Sequence, residues 1–163
     1  MDYRGQRDKS RLERLLQRFG ASKVGGKLFI TVFPEIDKRL MPLTRGRLKI
    51  AVGQPVCLLR ARGARSGEPR TTPLLYTPHG DALVIVASKA GSQRNPAWYH
   101  NVKANPDVEV EIGARRRPMR AREVEGDERD DLWALVNDNY AGYDTYQHRA
   151  GGRRIPVIVL EPR

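Results

Sequence analysis

Val108, Val110 and Ile112 alternate strictly with Glu109 and Glu111. Side chains of a strand point to opposite faces in turn, so this stretch is a strand with one dry face and one wet face. A chain holding such a strand folds around an antiparallel sheet rather than a parallel one covered on both sides. Three earlier runs, Val56–Arg62, Thr71–Tyr76 and Ala82–Ala87, are short, apolar and bounded by Gly, Pro and charged turns, as buried strands are. His79-Gly80-Asp81 reads as a hairpin between the second and third of these. Gly113-Ala114-Arg115-Arg116-Arg117-Pro118 reads as a turn leading to a return strand over Met119–Val124, and Ile155–Leu160 supplies the last strand.

Helical signals are set apart from the strands. Asn95-Pro96 offers an N-cap followed by proline at the first helical position, and Asn105-Pro106 ends that helix. Gly126 to Tyr140 begins with acidic residues, as the helix dipole prefers, and carries Leu132, Trp133, Val136 and Tyr140 toward a core. Near the start, Ser10-Arg11-Leu12-Glu13 has capping-box spacing, and Leu12, Leu15, Leu16 and Phe19 share one helical face that Gly20 closes. Lys27–Leu40 reads as a second amphipathic segment broken by Pro34. The pattern predicts an α+β fold: a small antiparallel barrel of about six strands with flanking helices. It divides into a basic helical segment over residues 1–50 and the barrel over residues 51–163.

The 163 residues are enough to bury a core without disulfides, and the lone Cys57, in an apolar run, reads as an inert buried thiol in a reducing compartment. The start lacks a signal-peptide pattern, and no apolar run approaches the roughly 20 residues of a membrane span, so the expected location is cytoplasmic. The net charge of +11 is unevenly placed: +8 over residues 1–50, +4 over 51–100 and −1 over 101–163. A positive field over the first hundred residues favours an anionic partner, whether nucleic acid, anionic membrane or a multiply charged small molecule.

Common catalytic motifs are missing. His79, His100, His148 and Cys57 lack metal-ligand spacing, so no metal is expected, and there is neither a phosphate-binding loop of the Walker type nor a nucleophile elbow. Two polar segments stand out instead. Arg62–Pro73 combines glycines, three arginines and hydroxyls, which suits a phosphate cradle and suits equally a solvated hairpin turn. Val86–Asn101 runs from a strand end through Ser88-Lys89 to a helix N-terminus whose N–H groups suit an anion. Trp98 and Tyr99 there would either stack on a planar ring or anchor the core.

These segments resemble the deazaflavin-dependent nitroreductase family of actinobacteria, whose members use reduced coenzyme F420. The resemblance rests on Gly63-Ala64-Arg65-Ser66-Gly67-Glu68-Pro69-Arg70-Thr71-Thr72-Pro73-Leu74, on Val86-Ala87-Ser88-Lys89-Ala90-Gly91, and on Asn95-Pro96-Ala97-Trp98-Tyr99-His100-Asn101-Val102-Lys103-Ala104-Asn105-Pro106. It extends through Tyr140-Ala141-Gly142-Tyr143-Asp144-Thr145-Tyr146-Gln147 and Arg154-Ile155-Pro156-Val157, covering residues 50–162. It implies a split β-barrel related to flavin-reductase folds and coenzyme F420 as cofactor. Arg65, Ser66 and Arg70 would hold the phosphate and glutamate tail, and Ser88 and Lys89 would line the ring and ribityl region. Thr71, Thr72, Pro73, Leu74, Leu75, Val86 and Ala87 belong to the same implied cofactor set, and Ala97, Trp98, Tyr99, His100 and Asn101 would close the far wall. Ala64 stands where relatives often carry Arg or Lys, which implies a weaker tail contact with Arg62 close by.

The implied reaction passes a hydride from the reduced cofactor to a small electron acceptor: a quinone, an activated alkene or carbonyl, or a nitroarene. Tyr140, Tyr143 and Tyr146 are spaced to place their phenols on one side of a helix or turn, either as a packing ridge or, by the resemblance, as the catalytic substrate side. An FMN-binding barrel and a basic nucleic-acid-binding module are the rival readings. FMN carries one phosphate and leaves much of the positive field unused, and no nucleic-acid motif accompanies the charge. The basic stretch Lys23–Lys49, with its apolar face, fits peripheral contact with an anionic membrane where a quinone would reside.

Overall fold

The computed structural model describes residues 55–163. The expected helices over residues 10–20 and 27–40, and the membrane contact assigned to the basic stretch, lie outside the described residues.

Seven strands form one antiparallel sheet: β1 Val56–Arg62, β2 Pro69–Leu75, β3 Thr77–His79, β4 Ala82–Val86, β5 Asp107–Ile112, β6 Arg115–Glu123 and β7 Val157–Pro162. Their order is β2-β1-β5-β6-β7-β4-β3, and β2 curls round to approach β4 without ladder bonds between them. The sheet is therefore a barrel left split along the β2–β4 seam. Among the described residues, three helices, α1 Ala97–Ala104, α2 Gly126–Asn139 and α3 Gly142–Arg149, flank it, and a single turn at Lys89–Gly91 follows β4.

Strand alternation divides the interior in two. Cys57, Leu59 and Ala61 of β1, Ile85 of β4, Val108 and Val110 of β5, Met119 of β6, and Ile158 and Leu160 of β7 fill the barrel with Trp98 and Val102 of α1. Val84 and Val86 of β4, with Val157 and Val159 of β7, point outward and are covered by Leu132 and Val136 of α2 and Tyr143 and Tyr146 of α3. Strands buried on both faces need continuous apolar runs, and β4 and β7 have them, whereas β5 exposes Glu109 and pairs the half-buried Glu111 with Arg60 and Arg116. Arg129 is buried with its guanidinium over the Trp133 ring at 4.7 Å and one Nη donating to the Ile155 carbonyl, which ties α2 to the start of β7.

Several boundaries differ from expectation for identifiable reasons. The expected six-residue turn over 113–118 shrinks to Gly113-Ala114, because Gly113 at φ 62° lets a two-residue hairpin close between Ile112 and Arg115. Pro118 is tolerated within β6 because its carbonyl, and hence its missing N–H, points past the end of β7, where only the Arg163 N–H reaches it. Residues 69 and 70 belong to β2, so the connection after β1 is only Gly63–Glu68. The hairpin at Gly80-Asp81 forms, but its first arm is the separate short strand β3, while β2 pairs with β1. The last strand runs over Val157–Pro162 rather than Ile155–Leu160, since Ile155 is held by side-chain bonds instead of a ladder. Asn95 does not cap α1: the helix starts at Ala97, and the Asn95 amide oxygen accepts from Arg153.

Gly142 begins α3 against the ring of Tyr140, where a Cβ would collide with Cε1, Cζ and the hydroxyl. Gly142→Ala is expected to cost about 1–3 kcal/mol, the usual scale of overpacking, while Gly152→Ala, with open space around its Cβ, stays near wild type. Urea unfolding of both variants measures the difference.

Candidate functional site

The connection Gly63–Glu68 is a closed turn. Gly63 N–H donates to the Glu68 carbonyl at 2.8 Å, Gly67 N–H to the Gly63 carbonyl at 2.9 Å, and Glu68 N–H to Ser66 Oγ at 3.3 Å. A Cβ on Gly63 would lie 2.6 Å from Ser66 Oγ and 3.4 Å from the Glu68 carbonyl, so a larger residue would displace the Ser66 hydroxyl. The turn is stapled to α1 from outside: Ala64 N–H donates to Asn101 Oδ1 at 2.9 Å, and Asn105 Nδ2 donates to the Arg62 carbonyl at 3.4 Å. The N–H groups of Gly63, Ala64, Gly67 and Glu68 are engaged in this way, and the side chains of Arg65, Ser66 and Arg70 are exposed for anion contacts. Ala64 is exposed beside them.

Strand register sorts the β2 residues. Arg70, Thr72 and Leu74 stand opposite Ala61, Leu59 and Cys57, so they share the barrel-facing side. Thr71, Pro73 and Leu75 face the other way, and Leu75 packs against the outer core that holds Val86 and the tyrosines. Ala87, fully buried, faces the inner core with Trp98.

Beyond Ala87 the backbone leaves the sheet in a strained turn. Lys89 has φ 45° and Ala90 φ 49°, left-handed values that cost an ordinary residue roughly 1–2 kcal/mol each. Gly91 follows at φ 80°, and a Cβ on it would lie 2.6 Å from Arg149 Cβ and 2.7 Å from the Tyr146 carbonyl, so the turn sits directly on α3. Arg153, which the sequence reading passed over, holds this turn from below. Its Nε donates to the Ser92 carbonyl at 2.8 Å, Nη1 to the Ala87 carbonyl at 3.2 Å and to Asn95 Oδ1 at 2.6 Å, and Nη2 to the Ser88 carbonyl at 2.9 Å. It follows Gly151-Gly152 and precedes a second arginine, Arg154, far in sequence from the segment it holds.

The three tyrosines adjoin the same turn through Ala90 and Gly91. Tyr143 and Tyr146 lie on α3, but Tyr140 is the extended residue that ends α2, so the three do not share one helix. All three are buried, and the Tyr140 and Tyr146 hydroxyls are hydrogen-bonded at 2.9 Å. Burial pushes all three phenols up from the ordinary tyrosine range, so they stay protonated and able to donate at neutral pH.

The proposed far wall is less uniform. Trp98 is buried in the barrel core, as the core-anchor alternative has it. Tyr99 donates to Glu123 Oε2 at 2.9 Å on β6, where Lys103 also pairs with that carboxylate, and burial with this bond raises its phenol to about 12. Ala97 and His100 are exposed, with His100 edge-on to the Tyr99 ring, and Asn101 is the staple described above.

The charges differ in availability. Arg116, Arg120 and Arg122 on β6 are paired with Glu111, Asp107, Glu128 and Glu161. Among the described residues, Arg65, Arg70 and Lys89 are exposed with no carboxylate within ion-pair distance, as are Arg62, Arg94, Arg115 and Arg117. No group of His, Cys, Asp and Glu suited to a metal occurs among the described residues.

Residues 39–162 match the family described as F420H(2)-dependent quinone reductase. An F420H(2)-dependent quinone reductase of Mycobacterium tuberculosis is 47% identical over 125 residues, 74% of this chain and 83% of the relative. A solved F420-H2 dependent reductase (FDR-A) is 42% identical with a TM-score of 0.61, covering 66% of this chain and 94% of that one. A chain solved as a domain-swapped dimer is 38% identical with a TM-score of 0.63, covering 78% and 95%. A split barrel whose exposed cations flank a strained strand-to-helix turn is thus the scaffold of an F420-dependent oxidoreductase, and this chain belongs to the F420H(2)-dependent quinone reductase family. Its partner is a small-molecule electron acceptor. Among the described residues, no helix is long and apolar enough to cross a membrane.

Asn101→Ala removes the acceptor for Ala64 N–H. Amide exchange is expected to quicken across Gly63–Glu68 by an amount matching about 1 kcal/mol, one lost hydrogen bond, with β4 and β7 unchanged. Hydrogen-exchange mass spectrometry reads both.

Proposed function

We propose that the cofactor lies along the β2–β4 seam, its charged tail at the Gly63–Glu68 turn and its ring at Ser88-Lys89, with the acceptor beside Tyr143 and Tyr146. The observation that carries this reading is the placement of exposed cations without a carboxylate partner among the described residues beside both strands that border the seam, Arg65 in the turn before β2, Arg70 at its start and Lys89 just past the end of β4. The donor set fits the group: Arg65, Arg70 and the Ser66 hydroxyl suit phosphate and carboxylates, and Lys89 suits the polar edge of the ring. Thr71, Thr72, Pro73, Leu74, Leu75, Val86 and Ala87 would border it as the two strands that form the seam, with Ala64 and Ala97 to Asn101 at its outer end.

When bound and reduced, the deazaflavin supplies a hydride to the acceptor. The protein's share is orientation and exclusion of water. The strained turn presents Lys89 outward while its backbone rests on α3. A protonated Tyr143 or Tyr146 would donate to an acceptor oxygen as negative charge develops there, which acts on turnover more than on binding. The acceptor is proposed as a quinone first, with activated alkenes, carbonyls and nitroarenes as further substrates of the same geometry. The site is proposed to work in the cytoplasm, with a membrane-dissolved quinone reached through the basic residues 1–50 and no role in binding nucleic acid.

Fluorescence titration tests the cofactor. Oxidised F420 should bind in the micromolar range or tighter and more tightly than FMN, with affinity falling as salt rises because the tail contacts are exposed. Arg70→Ala and Lys89→Ala should each weaken binding by about 1.5–3 kcal/mol, one charge-assisted contact, with melting temperatures preserved. Unchanged affinity in both would place the cofactor elsewhere.

Tyr143→Phe and Tyr146→Phe are expected to lower kcat by about tenfold to a thousandfold with at least one acceptor, the scale of one lost oxyanion donor, at nearly constant cofactor affinity. Anaerobic oxidation of the reduced cofactor by a quinone and a nitroaromatic measures this. Wild-type rates in both variants would make the tyrosines a packing ridge only.

A further inference from the structure

We propose that Arg153 is the positioning residue of this site, clamping the strained Ser88–Asn95 segment into the shape that receives the cofactor, and that Gln147 sets the clamp from α3. The inference rests on the function proposed above. Lys89 and Ala90 sit in left-handed backbone that their own side chains do nothing to favour. What opposes the strain is one guanidinium whose Nε, Nη1 and Nη2 reach acceptors on Ala87, Ser88, Ser92 and Asn95. All four acceptors are neutral oxygens, and together they bracket the whole segment. A planar fork of five donors can span them, whereas a lysine ammonium presents its donors at one point.

Arg153 is itself held in place. Gln147 Nε2 donates to the Arg153 carbonyl at 2.8 Å, and Gln147 Oε1 accepts from Ile155 N–H at 2.8 Å. Gln147 follows Tyr146 directly on α3, so the helix proposed to face the acceptor also fixes the bend that aims the guanidinium. Since the guanidinium is turned toward the backbone of Ala87–Ser92 and the Asn95 amide, Arg153 acts through the turn it shapes and not by touching acceptor or cofactor. Its neighbour Arg154 is exposed and pairs with Asp130, which makes it the natural control.

The experiment compares Arg153→Lys, Gln147→Leu and Arg154→Ala with wild type. Hydrogen exchange on the cofactor-free proteins should show faster exchange across Ser88–Asn95 in the first two, with β5 and β6 unchanged and Arg154→Ala like wild type. The dissociation constant for oxidised F420, and KM for the reduced form, should rise about tenfold or more in Arg153→Lys, the scale of lost hydrogen bonds to a charged group. Its kcat at saturating cofactor should stay near wild type. Unchanged exchange and unchanged affinity in Arg153→Lys would overturn the proposal, as would exchange raised evenly over all strands, the mark of a general loss of stability. The exchange arm needs no cofactor and judges the clamp alone; the wild-type titration judges the proposed function alone.

Discussion

β4 and β7 are buried on both faces, and much of the molecule follows from that constraint. Their inward residues, Ile85, Ile158 and Leu160, complete the barrel, while Val84, Val86, Val157 and Val159 take the helices on the outside. The end of β4 is consequently the point where two cores meet and the chain must leave both. It does so through three consecutive left-handed residues resting on α3, and the cost of that conformation is offset by bonds gathered from Arg153. Strain held by surrounding structure is a common property of ligand-binding turns. Here it is found between the seam and the tyrosines.

Electrostatics separates structural charge from available charge. Arg116, Arg120 and Arg122 of β6 meet carboxylates on β5, α2 and β7, and such exposed pairs contribute little to stability. Arg65, Arg70 and Lys89 are left without a carboxylate of their own, Arg65 and Lys89 on turns the fold fixes through Asn101, Asn105 and Arg153 and Arg70 at the start of β2. Site charge held on a pinned backbone loses little freedom when an anion arrives.

The glutamate alternation of β5 and the apolar runs of β1 and β4 were legible because their period is local, and the family motifs marked both loops. Three things were not. The extension of β6 back through Arg115 depended on which side of the strand Pro118 turns toward, a matter of the neighbouring strand's end. The asparagines of the third motif looked like cap and wall, yet Asn101 and Asn105 staple the first loop across 37 and 43 residues of chain, and Asn95 serves Arg153 across 58. Arg153 itself sits among glycines and a second arginine, where only three-dimensional closure distinguishes it from a solvated charge.

The most direct test of where the cofactor binds is a map of amide chemical shifts as oxidised F420 is added to the 15N-labelled protein. The account predicts perturbations concentrated in Gly63–Leu75, Val86–Asn95 and α3, with β5 and β6 quiet. Perturbations centred on the β5–β6 face, or matched in place and strength by FMN, would contradict it.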